Sequence, residues 1–76
     1  MLNPAEKAYC EALLALRRKE YQRAAEQFDR AVPFFRKDQE FNLFRETTRL
    51  LLTVKEELAR LEKQNELQIE EVFTDG

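Results

Sequence analysis

Seventy-six residues and 9.1 kDa hold one small domain. A chain of this size buries about 60–65% of its unfolded surface, which suffices for one thin core but not for a deep catalytic cleft with a rigid supporting shell. Hydrophobic residues make up 43%, charged residues 37%, and the net charge is −2, a balance that excludes compositional disorder and membrane-spanning segments and disfavours nucleic acid as a partner.

The inventory of reactive side chains is poor. There is no histidine, one cysteine and one glycine, Gly76. That leaves no zinc constellation, no glycine turn for a calcium or magnesium loop, no phosphate-cradling loop and no imidazole for acid–base work. No metal, no cofactor and no catalytic residue is expected, so the chain reads as a non-enzyme. A single cysteine cannot form an intrachain disulfide, and the start MLNPAEKAY lacks the charged-then-apolar pattern of a secretory signal. Together these predict a reducing, cytoplasmic setting. Cys10 itself reads as a small packed hydrophobe. The adjacent pairs Glu56–Glu57 and Glu70–Glu71 diverge by about 100° on a helix and read as solvated surface.

With so little turn chemistry the chain is expected to be all-α, a three-helix bundle. The first helix is expected over about 4–18. Asn3 caps it, Pro4 suits its first turn, and Glu6 completes a capping-box spacing. Ala8, Ala12 and Ala15 share one face, where small side chains let a neighbouring helix approach closely. Tyr9, Leu13 and Leu16 form an adjacent stripe. The basic run Arg17–Arg18–Lys19 sits where cations complement the helix dipole.

The second helix is expected over about 20–37, after a tight glycine-free turn. Tyr21, Ala24, Phe28, Ala31 and Phe35 recur at spacings of 3 and 4. Pro33 predicts a kink there, or a helix end followed by a looser turn. Asp38 reads as the cap of a third helix over about 39–64. Phe44, Thr47, Leu51, Val54, Leu58 and Leu61 make an a/d-type seam along it, and Phe41, Thr48 and Leu52 a second, weaker stripe. Residues 1–65 are therefore expected as one helical domain. Residues 66–76 are expected as an acidic tail, extended or frayed. The charge is divided unevenly: residues 1–63 carry 13 basic and 11 acidic groups, residues 64–76 no basic and four acidic ones. The tail nevertheless keeps Leu67, Ile69, Val72 and Phe73, which suit a partner's sheet edge or groove.

The run Tyr21-x-x-Ala24-x-x-x-Phe28-x-x-Ala31 resembles the second helix of a tetratricopeptide repeat, with Ala8 and Ala12 at the packing positions of the first. The resemblance covers roughly residues 8–37. Glu11 stands where that family usually has leucine, Lys19 replaces its turn glycine, and Pro33 comes a few residues before its terminal proline. The alanine–aromatic spacing is also similar to that of the microtubule-interacting-and-transport domain, an antiparallel three-helix bundle in which 46–63 would be the third helix. Both resemblances imply a non-catalytic module that binds a peptide or helix of another protein. In repeat domains the first helix lines the groove, which nominates Tyr9, Leu13, Leu16 and Arg17 for partner contact. The competing reading makes Tyr9, Leu13 and Leu16 plain core, and exposure decides between them. The alternative function is a structural or assembly subunit. A third helix of about 39 Å outruns helices of about 22 and 27 Å, and Leu52, Leu58 and Leu61 are expected to close a homodimer.

Overall fold

Tyr9 of the first helix stands against two phenyl rings of the second. In the computed structural model, which describes residues 2–74 and side chains through residue 65, its ring stands edge-on to both Phe28 and Phe35, each with centroids 6.0 Å away. Helix α1 runs Pro4–Arg17, α2 Tyr21–Lys37 and α3 Phe41–Thr74. The chain is an all-α three-helix bundle in which α2 packs against both α1 and α3.

Helix α1 starts as its first residues dictate. The Asn3 side-chain Oδ1 accepts the Glu6 backbone N–H at 2.8 Å, and the Asn3 Nδ2 donates to the Glu6 carboxylate, also at 2.8 Å. The reciprocal half of the cap thus uses the asparagine amide rather than its backbone N–H. The face turned to α2 is built from Ala5, Ala8, Ala12 and Ala15, all buried. Helix α2 answers with Ala24, Ala25, Phe28, Ala31 and Phe35, also buried. Small residues on both sides bring the backbones close, and the two phenyl rings fill what space remains. Tyr9, half-buried, bridges the two buried clusters that this leaves, one around Phe28 and one around Phe35.

Helix α3 closes the other side of α2 with Thr47, Leu51 and Val54, and its seam residues Phe44, Leu58 and Leu61 are half-buried. Thr47 is 0% exposed, and its hydroxyl is satisfied by donating to the Leu43 carbonyl at 2.6 Å. Phe28, Ala24, Ala12 and Leu51 are in the core; Leu58 packs against it from a half-buried position.

The two turns are copies of one another. After α1, Lys19 takes a left-handed backbone (φ 62°); its N–H donates to the Leu16 carbonyl, and Glu20 N–H donates to Ala15. After α2, Gln39 does the same (φ 59°), with its N–H on Arg36 and Glu40 N–H on Phe35. Each is a Schellman closure, with a non-glycine at the position that favours glycine. The carbonyls of Glu20 and Glu40 then accept the first bonds of α2 and α3.

Several expectations need correction. Pro33 does not end α2, which runs on to Lys37. The ring deprives the Asp29 carbonyl of one helical bond, but Asp29 and Pro33 are both on the solvent side, and burial of Phe35 holds the last turn in place. Asp38 caps the end of α2 rather than the start of α3, because the Schellman closure occupies residues 38–40. Cys10 is exposed rather than packed. Helix α3 continues to Thr74, past the end near residue 64 expected for it. No proline or glycine interrupts the chain between Pro33 and Gly76, and each added residue costs an existing helix little. The side chains of Leu67, Ile69, Val72 and Phe73 lie outside the described residues.

Two stability outcomes follow. Phe28→Ala empties the centre of the core and is expected to cost about 3–5 kcal/mol, close to the whole stability of so small a domain; the melting temperature by circular dichroism measures it. Lys19→Gly and Gln39→Gly each relieve a side chain from the left-handed region and are expected to stabilise by about 1 kcal/mol in urea titrations.

Candidate interaction surface

Helix α3 offers two apolar stripes, and α2 covers one. The covered stripe is the seam around Thr47, Leu51 and Val54. The other lies about a third of a turn away and is open: Phe41 is 64% exposed and Leu52 60%. Between them sit half-buried Phe44 and exposed Thr48, and Arg45 and Arg49 border the strip. These residues line an open groove of about 610 Å³. Its floor is hydrocarbon and its edge is cationic.

Neither arginine of this edge is in an ion pair among the described residues. Among the described residues the ion pairs are Arg23–Glu20 and Arg60–Glu57, and neither involves Arg45 or Arg49. The Arg60 guanidinium holds Glu57 in a two-pronged contact, with Nε donating to one carboxylate oxygen at 3.2 Å and a terminal nitrogen donating to the other. That hydrogen bond, aided by the guanidinium charge, lowers the Glu57 carboxyl below its ordinary range and raises Arg60. The pair lies on the solvent face of α3 and is an i, i+3 helix pair of small energetic weight.

The nominated residues of α1 divide. Tyr9 is engaged by Phe28 and Phe35 and serves the core, and Leu16 packs half-buried against the same core. Leu13 is 39% exposed and Arg17 is exposed. The four do not form one continuous open strip. The self-association residues divide as well: Leu58 and Leu61 are half-buried in the seam, and Leu52 stands open. Phe41, the aromatic end of the open strip, and half-buried Phe44 beside it were not nominated as contacts. Their signal was in the sequence as the stripe Phe41–Thr48–Leu52, which outweighs the α1 stripe once α2 is seen to cover the seam.

A second groove, of about 540 Å³, lies between α1 and α2, with Pro4, Lys7, Glu11, Gln27, Arg30 and Phe34 among its lining residues. It carries both signs of charge and one exposed aromatic, Phe34. Among the described residues no group of three or more His, Cys, Asp or Glu side chains is placed to hold a metal ion, and no helix is long and apolar enough to cross a membrane. Compared with protein-family models, curated proteins and solved structures, the chain matches none.

The open strip predicts a separation between folding and surface. Phe41→Ser with Leu52→Ser should leave the melting temperature within a few degrees of the parent, since neither side chain is buried. Val54→Ala, in the covered seam, should lower stability by about 1–3 kcal/mol. Parallel thermal melts of the two variants check the assignment of the two faces.

Proposed function

We propose that this chain is a small protein-interaction module, a repeat-like helical hairpin carrying a long third helix that receives a peptide or helix from another protein chain. One observation carries the reading: the strip Phe41–Thr48–Leu52 stays open although the chain has a core in which to bury apolar side chains. Two large hydrophobics more than half exposed on one helix face, bordered by arginines in no ion pair among the described residues, match the aromatic-and-arginine composition that anchors interfaces. The reading involves no catalysis and no cofactor, and its setting is the cytoplasm, where the exposed thiol of Cys10 stays reduced.

The tetratricopeptide-like character enters here as part of the proposal. Ala24, Phe28 and Ala31, which carry the resemblance, are all 0% exposed and form the contact between α1 and α2. In that reading α3 is the first helix of a following repeat. The microtubule-interacting-and-transport resemblance places the same three helices in one bundle and leads to the same class of partner. Contact through Leu13 and Arg17 of α1 is a secondary surface of the module.

A photo-crosslinking residue in place of Thr48, at the centre of the strip, tests the reading in the native host. It should trap a discrete protein adduct, which Phe41→Glu with Leu52→Glu abolishes. The same probe in place of Leu14, exposed on α1 and away from the core, should not trap it. Equal adducts at both positions, or none at position 48, would contradict the proposal.

A further inference from the structure

Helix α3 carries its cations and its carboxylates in separate blocks. Residues 41–55 hold three cations, Arg45, Arg49 and Lys55, and one carboxylate, Glu46; residues 56–74 hold six carboxylates and two cations, the last of them Lys63. No acidic residue occupies the first turn and no basic residue the last. The N-terminal end of a helix favours anions and the C-terminal end cations; Glu40 at the cap of α3 complies, but the carboxylates that lead up to Thr74 oppose the dipole. The shorter helices follow the rule, with Glu6 early and Arg17 late in α1 and Arg36 and Lys37 at the end of α2.

The same helix is too long for its support. At 1.5 Å per residue, α2 spans about 26 Å and α3 about 51 Å. Among the described side chains of α3 the last half-buried one is Leu61, and Glu62 to Asn65 are exposed. The acidic end cannot reach Arg45 and Arg49 within one molecule. The helix between them is continuous, and residues 49 and 70 lie about 31 Å apart along it.

We infer that the occupant of the open strip is a second copy of this chain, bound through an antiparallel pairing of the two α3 helices. This rests on the interaction reading above and names its partner. In the pairing, positions 45 and 49 of one copy lie opposite positions 70 and 66 of the other, so each cationic strip meets the other chain's acidic helix end. The two helix dipoles oppose one another. The two-fold axis passes near residues 57 and 58, next to the small exposed Ala59, and the two α1–α2 hairpins sit at opposite ends of the assembly. The same patch then serves both chains, as a closed two-fold interface requires. Phe41 and Leu52 are covered, and the exposed stretch Glu62 to Asn65 gains a neighbouring helix.

Charge reversal on the full-length chain tests both partner and orientation. Sedimentation or light scattering at about 100 μM should give twice the mass of one chain. Arg45→Glu with Arg49→Glu makes both ends acidic, and Glu66→Arg with Glu70→Arg makes both ends basic. Each double variant alone should dimerise about tenfold more weakly or worse while its circular dichroism stays helical, and an equimolar mixture of the two should recover the dimer. A parallel pairing already sets like charges together, so neither variant alone would weaken it. A parent chain that is monomeric at this concentration overturns the inference, as do double variants that dimerise as well as the parent. Either result, combined with a strip-dependent Thr48 adduct to a different protein, leaves the interaction reading standing; loss of that adduct as well removes both.

Discussion

The structure depends on how closely α1 lies against α2. Four alanines on α1 and three on α2 form the contact, and two phenyl rings from α2 set its spacing. Tyr9 stands edge-on to both rings, a geometry that adds about 0.5–1.5 kcal/mol per aromatic pair beyond the area buried. With the hairpin closed this tightly, α1 keeps its four buried alanines on the α2 side and leaves Leu13 and Leu14 exposed. The opposite side of α2 is free to take a third helix, and α3 fills it with larger residues, Leu51 and Val54, around the satisfied hydroxyl of Thr47. An apolar strip with Phe41 and Leu52 exposed is thereby left on the far side of α3.

Most of this was legible in the residues. The 3-and-4 spacing of Tyr21, Ala24, Phe28, Ala31 and Phe35 specifies one helical face, and the alanine run on α1 specifies what packs against it. The seam Phe44–Leu61 likewise names the face of α3 that α2 covers. The details that escaped share a cause: a local signal with two physical meanings. Asp38 suits a helix start and equally tolerates a helix end, and only the backbone of Gln39 decides which. Pro33 breaks helices when its lost bond is buried, but its partner carbonyl at Asp29 lies on the solvent side. Cys10 is small and apolar, but it falls on the face of α1 that no helix covers.

The surface was legible only in part for a different reason. Periodicity identifies stripes on a helix without saying which stripe a neighbour occupies. Tyr9 and Leu16 look like groove residues until Phe28 and Phe35 claim them. Phe41 looks like a helix-terminal residue of no consequence until α2 is seen to cover the seam and leave it bare. Charge order along α3 was readable from the start, but its meaning depends on α3 being one unbroken helix to Thr74. An extended tail could have folded back and neutralised Arg45 and Arg49 within the same molecule; a rigid helix cannot.

The central claim is that α3 is closed on one face by α2 and on its open strip and acidic end by another chain, a second copy of itself. Backbone hydrogen exchange of α3 at low and high protein concentration tests this most directly. Amides of residues 47–58, held by α2, are expected to be protected equally at both concentrations. Those of residues 62–74 are expected to exchange rapidly in dilute solution and to gain protection as concentration rises. A profile over 62–74 that does not change with concentration, whether protected or open, would contradict the account.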